Sequence, residues 1–369
     1  MFPMNSTSID PWASEQRFDI AKLIEEFGMS PFTPALSARL PGFLLARRGG
    51  MLAHRELEHW LADSEKGKPV AVMSGIKPSS EFHLGSKLTA QELIYYQKKF
   101  NAKVFYAIAD LEAFADNGLT LEQSHETAVS NVADLLALGL DEKNAHIYKQ
   151  SEERRVMNAA FIYSKRATPA MLSAIYGERN YSLYFSALLQ VGDILLPQHK
   201  DFGGPKRVLV PVGIDQDPHI RFARDIAFKE KLSLPCSTYH VTMRGLRGET
   251  KMSKRDPNST LSLSDSPEVA KKKLMSAFTG GRATAEEQKR LGGEIEKDVL
   301  YELARFHFID DDALLEEMKQ DMVTGRLLTG EYKQKYIPHM LEWLAAHQAR
   351  KKEMLPRARK ILERARTDG

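Results

Sequence analysis

The chain has 369 residues, a formal net charge of +3, one cysteine and 43% hydrophobic residues. That length leaves room for two or three domains with cores of their own, and so small a net charge is no argument for nucleic acid by itself. A lone Cys236 excludes an intrachain disulfide and a cysteine-built zinc site; without a membrane-length apolar run or a basic-then-apolar leader, a cytoplasmic protein is expected.

In chain order, residues 1–68 mix Pro-rich turns with an Arg47-Arg48-Gly49-Gly50 loop and read as an N-terminal extension packed as a cap on a sheet. Val70 to Met73 is an apolar run suited to a buried parallel strand, and Leu84 to Phe100 carries apolar residues at helical spacing. Val104 to Ile108, His146 to Tyr148 and Val208 to Val212 are further strand candidates alternating with helical stretches, the pattern of an open α/β domain with a parallel sheet. Leu119 to Gln190 is mostly helical in pattern and long for a crossover, so part of it reads as an insertion. Beyond Pro267 the pattern is all helical: Glu268 to Ala277, Glu286 to Phe308, Asp312 to Gln320, Gly330 to Ala346 and a basic tail from Arg350. Gly280-Gly281 and Gly292-Gly293 punctuate it.

Two distant stretches carry the chemistry. Pro78-Ser79-Ser80-Glu81-Phe82-His83-Leu84-Gly85 joins the first strand to a helix and puts His83 at the helix start, where free backbone N–H groups and the positive dipole end suit phosphate. Lys251-Met252-Ser253-Lys254-Arg255 is a basic loop between turn signals, suited to closing over charge that grows during phosphoryl or nucleotidyl transfer. Ligands of parallel sheets bind beyond the carboxyl ends of the strands, and Gly213-Ile214-Asp215-Gln216-Asp217-Pro218 follows Val212 at such an end. Two loops thus point at one crevice.

His83-Leu84-Gly85-Ser86 and Lys251-Met252-Ser253-Lys254-Arg255 resemble the HIGH and KMSKS signatures of class I aminoacyl-tRNA synthetases. The resemblance implies a Rossmann-like parallel-sheet catalytic domain over 69–260 with a helical insertion at about 111–190, then an all-helical anticodon-binding domain over 261–369. Within that class, Gly213 to His219, Asp256-Pro257-Asn258, Met73 at a strand end and the N-terminal extension with Asp10-Pro11-Trp12 resemble the archaeal and eukaryotic tryptophanyl branch; the tyrosyl branch is the enzymatic rival, and a non-catalytic paralogue the rival of another kind. The resemblance implies three substrates, L-tryptophan, ATP with Mg²⁺ and tRNA(Trp), with no protein-bound metal, no membrane and a homodimer whose face the helical Leu119 to Tyr148 region would supply.

His83, Lys251 and Lys254 would act on the phosphates, and Gly75, Lys77, Ser79, Gly85, Ser86, Gly213, Asp215, Met252 and Ser253 would bind the rest of ATP. Gly85 would leave room for the adenine ring. Met73, Glu112, Gln190, Asp193 and Gln216 would hold tryptophan. Indole offers one N–H donor and no acceptor, so its slot needs a buried acceptor in a flat apolar space. Asp193 stands where bacterial-type members place theirs, while the archaeal and eukaryotic members use a Tyr and a Gln at places held here by Met73 and Ala107.

Overall fold

The computed structural model describes residues 20–252, 256 and 258–368. The expectations for Asp10-Pro11-Trp12, Ser253, Lys254, Arg255 and Pro257 lie outside the described residues.

Strands β1 (Ser30–Pro31), β2 (Met51–Arg55), β3 (Val70–Ile76), β4 (Lys103–Ile108), β5 (Ala145–Lys149), β6 (Arg207–Gly213) and β7 (Cys236–His240) form one sheet in the order β1-β2-β7-β6-β3-β4-β5. From β7 to β5 every pairing is parallel. The centre is buried on both faces, which is why its strands are near-continuous apolar runs rather than alternating ones. Successive residues still separate cleanly. Val72, Val104, Tyr106 and Leu209 enter one core with the helix Leu84–Phe100 and the C-terminal helices. Ala71, Met73, Phe105, Ala107, Val208 and Val210 enter a second with the helices Tyr181–Leu195 and Asp217–Lys229.

The extension does more than cap. Residues 30–55 add β2 antiparallel to β7 and β1 antiparallel to β2, and a β-strand at Cys236–His240 was not among the sequence expectations. Arg55 fastens this addition: its Nε and Nη2 donate to the fully buried Asp217 carboxylate at 2.9–3.1 Å, and Tyr239 donates to the same oxygen, Oδ1. Trp60, just beyond, donates from Nε1 to the Ala71 carbonyl at 2.9 Å.

Glu286 to Phe308 is not one helix. The helix Ala285–Leu291 stops at Gly292, whose φ of +66° and closeness to the Val323 carbonyl admit no side chain, and the segment ends in a π-turn, Ala304–Phe308. Carbonyls left open there are met from elsewhere. Arg48 donates to Arg305, Ile309 and Asp310 oxygens at 2.6, 2.6 and 3.0 Å, Gln91 to Phe306 at 3.3 Å, and Lys87 to His307 at 3.2 Å.

The last helix, Thr329–Asp368, lies along Leu121–Ala137. His347 and Lys351 both bond the buried Asp134, at 2.8 and 2.7 Å, and Arg359 grips Glu126 at 2.7 Å. The C-terminal helix covers much of Leu119 to Tyr148. Part of the basic tail is engaged within the chain: Arg350 donates to the Ala137 carbonyl, Lys351 is buried, and Arg357 and Arg359 pair with Glu142 and Glu126.

Candidate active site

A cavity of about 440 Å³ opens at the carboxyl ends of β3, β4 and β6. Every described residue proposed from sequence lines it: His83, Lys251, Gly75, Lys77, Ser79, Gly85, Ser86, Gly213, Asp215 and Met252 from the nucleotide set, and Met73, Glu112, Gln190, Asp193 and Gln216 from the tryptophan set.

His83 is the N-cap of Leu84–Phe100, and its Nδ1 accepts from the Ser86 N–H at 3.3 Å. Gly85 sits against that imidazole: a Cβ there would lie 2.8 Å from His83 Cε1, so the first demand on this glycine comes from the His83 ring. Gly75 is constrained likewise, since a Cβ would stand 2.6 Å from the Ala107 carbonyl oxygen. The two signatures are stitched together through the segment after the basic loop. His83 forms an antiparallel bridge with Ser262, Leu263 N–H donates to Phe82 O at 2.9 Å, and Leu84 N–H to Leu261 O at 3.4 Å.

Lys251 also lines the cavity, and its Nζ donates to Asp215 Oδ2 at 2.7 Å. Gln216 Nε2 donates to the same oxygen at 3.0 Å. Burial works most strongly, to raise the Asp215 carboxyl, but the Lys251 ammonium together with the Gln216 and backbone hydrogen bonds holds the group below its ordinary value. At the floor, Lys77 pairs with Asp116 and lies 3.7 Å from Glu112, while Gln190 Nε2 donates to Glu112 Oε2 at 2.7 Å. An amide, a carboxylate and a lysine thus converge at one place in the cavity.

Asp193 is 2% exposed on the helix Tyr181–Leu195. Its Oδ1 accepts from Tyr148 Oη at 2.8 Å and its Oδ2 from Gln150 Nε2 at 2.5 Å. Burial pushes the carboxyl up to about 7, against those two donors. Met73, Ala107, Ile194 and Ile220 line the same cavity and give it an apolar stretch.

Sequence reasoning missed several lining residues, among them Asp116, Asn117, Gln150, Thr89, His219 and His240. His219 is buried and pushed down to about 3, with Tyr176 Oη 2.9 Å from its Nδ1. A signal existed for Gln150, which lies just past a strand candidate, at the end where ligands of such sheets bind. For His240 there was none, because its strand was not recognised.

A cavity of this size at the carboxyl ends of the strands, lined by a helix-capping histidine and a lysine, has the features expected of a class I synthetase. Residues 65–344 match the family tRNA synthetases class I (W and Y), and the chain belongs to that family. Within it the chain is similar to the tryptophan–tRNA ligase of Hyperthermus butylicus, 43% identical over 98% of both chains. It is likewise similar to that of Aeropyrum pernix, 40% identical over 98% of this chain and 99% of that one. The crystal structure of tryptophanyl-tRNA synthetase from Aeropyrum pernix K1 matches with a TM-score of 0.89 at 40% identity, covering 96% of this chain and 98% of that one. The tryptophan-bound enzyme of Encephalitozoon cuniculi gives 0.82 at 28%, covering 93% and 97%.

Proposed function

We infer that this chain is a tryptophan–tRNA ligase: it activates L-tryptophan with ATP and passes it to tRNA(Trp). The observation that carries the reading is that His83 and Lys251 line one cavity together with the apolar Met73, Ala107, Ile194 and Ile220 and the buried, hydrogen-bonded Asp193. A lining of that kind suits an indole, which has one donor to satisfy and a flat apolar body to bury.

In the first step a tryptophan carboxylate oxygen bonds to the α-phosphorus of ATP, and the bond from that phosphorus to the bridging oxygen of pyrophosphate breaks. The nucleophile is ionised at neutral pH, so no general base is needed, and catalysis rests on alignment and on stabilising the leaving charge. Glu112 and Gln190 hold the ammonium end, with Gln216 near the carboxylate. The cap at His83 and Ser86 receives phosphate; Lys251 leaves Asp215 for the leaving group, joined by Lys254. Gly75, Ser79, Gly213 and Met252 shape the nucleotide wall. Asp215 then faces the ribose. Mg²⁺ enters with the triphosphate as part of the substrate; among the described residues no cluster of three or more His, Cys, Asp and Glu could hold a metal ion. In the second step the 2′-hydroxyl of the terminal adenosine attacks the adenylate carbonyl and AMP leaves.

Assembly as a homodimer is proposed through the helices Arg154–Ser164 and Tyr181–Leu195, where Phe161, Ile162 and Tyr181 are 75%, 58% and 88% exposed. A cytoplasmic setting follows from the same translation role; among the described residues no helix is long and apolar enough to cross a membrane. The deciding experiment is ATP–pyrophosphate exchange with each aromatic amino acid in turn. Tryptophan-dependent exchange is expected; exchange with tyrosine alone, or with neither, overturns the reading.

A further inference from the structure

The segment that leads into the His83 cap is held from outside the catalytic sheet. Glu81, two residues before His83, accepts from Ser130 Oγ at 2.7 Å and from Ser264 Oγ at 2.8 Å on one oxygen, Oε2. Asn131, next to Ser130, donates to the Ser80 carbonyl at 3.4 Å. Ser264 is tied in turn to the segment that pairs with His83: its N–H donates to Ser262 Oγ at 3.1 Å, and Ser262 is the bridge partner of His83. Into this cluster comes one side chain of the last helix. Lys351 Nζ donates to Ser264 Oγ at 2.8 Å and lies 2.7 Å from Asp134 Oδ2 and 3.4 Å from Glu81 Oε2, so each of its three donors has an acceptor. On the same helix Gln348 Nε2 donates to the Leu263 and Asp265 carbonyls at 2.9 and 2.8 Å.

Chemistry sets the direction of these bonds. An ammonium only donates, so Ser264 Oγ accepts from Lys351 and gives its own proton to Glu81. Burial works to raise the Glu81 carboxyl, but the two serine bonds and the Lys351 ammonium hold it below its ordinary value. Lys351 is 9% exposed, and an apolar side chain would fill its place without the cost of desolvating a charge. What the ammonium adds is a fixed spacing between Glu81 and Ser264, and hence between the two extended segments that meet at His83.

From this arrangement we infer that Lys351 is a positioning residue for amino-acid activation: through Ser264 and Glu81 it clamps the segment entering the His83 helix start against the segment that leaves the basic loop of Lys251. The inference rests on the proposed tryptophan activation and adds to it a residue that acts through others, since Lys351, Ser264 and Glu81 are not among the residues lining the cavity. The clamp lies on the side of the sheet whose core holds the helix Leu84–Phe100, whereas Met73 and Ala107 pack in the second core with the helix Tyr181–Leu195. Loosening it therefore acts on the phosphate side of the site and leaves the tryptophan side in place.

The test measures single-turnover adenylate formation at saturating ATP, equilibrium tryptophan binding and urea unfolding in the wild type, Lys351→Met, Ser264→Ala and the double variant. Lys351→Met is expected to slow adenylate formation by about 10- to 100-fold, the scale of a small misplacement of reacting groups, with tryptophan affinity unchanged within about twofold. Ser264 is exposed, so Ser264→Ala opens no cavity; it should keep the urea midpoint of the wild type and still slow the step by about fivefold or more. The double variant should be no slower than Lys351→Met, because both changes break one path. An unchanged rate in Ser264→Ala, rate losses that multiply in the double variant, or tryptophan affinity that falls in step with the rate overturns the inference. Should Lys351→Met fail to fold, Ser264→Ala decides alone. A wild-type protein that forms no adenylate with tryptophan would refute the proposed function itself, a result distinct from any of these.

Discussion

Asp193→Asn offers a measurement in which burial, charge and pH are tied together. The Asp193 carboxyl is raised from 3.8 to about 7, chiefly by burial. A carboxyl whose folded value exceeds its unfolded one favours the folded state least when ionised, so stability is lost as pH rises from about 4 to about 7 and stays lost above. At 1.36 kcal/mol per pH unit the full loss is about 4 kcal/mol, of which roughly 2.5 kcal/mol falls between pH 5 and pH 8. Asparagine cannot ionise and carries none of this dependence. Urea unfolding of both proteins at pH 5, 6, 7 and 8 should therefore show the variant gaining on the wild type by roughly 2–3 kcal/mol across the series, whatever its offset at pH 5. Since every other titrating group is common to the two proteins, parallel stability profiles would refute the argument.

Three further outcomes are expected. Lys251→Ala should slow adenylate formation by about 10²–10³-fold, the usual cost of losing one donor to developing charge, while equilibrium tryptophan binding changes little; an unchanged rate in single-turnover activation removes this lysine from the chemistry. Arg48→Ala leaves the Arg305, Ile309 and Asp310 carbonyls without their donor and should destabilise the fold by about 3 kcal/mol, seen as a lowered urea midpoint. Lys87 is fully buried and pushed down to about 7, so its penalty is absent well above its unfolded value of 10.5 and complete well below about 7; the stability of Lys87→Met relative to the wild type should rise by about 4 kcal/mol from pH 10 to pH 6, and a flat difference would contradict that.

The sequence made the centre of the sheet and the mouth of the cavity legible for one reason: strands buried on both faces are continuous apolar runs, and the phosphate-binding turn sits at the end of one. Val70 to Met73 and Val208 to Val212 were visible in this way, with the loops that follow them. Cys236–His240 was not, because Cys-Ser-Thr-Tyr-His is polar in composition although all five residues are buried; Thr238 hides its hydroxyl in a bond to Glu92, and His240 in one to Thr89. Met51–Arg55 escaped for a related reason, since Arg55 looks like a surface residue until its buried partner Asp217 is known. The partners of the basic tail were not legible either. Arg357 and Arg359 have the spacing of a basic face, and only the fold reveals that Glu142 and Glu126 on the insertion side lie opposite them. Gln150 belongs to a third kind: its place after a strand was visible, but the pinning of its amide by Asp193, 43 residues away, was not.

Residues 30–55 stand guard over β7 as well as widening the sheet. Were the chain shortened to begin after Arg55, five inward-packed residues would be left bordering an unzipped row of amides and carbonyls, an invitation for any passing strand to add itself. Such a shortened protein would precipitate before its chemistry could be assayed, and the forerunning segment is in that sense a chaperone that never departs.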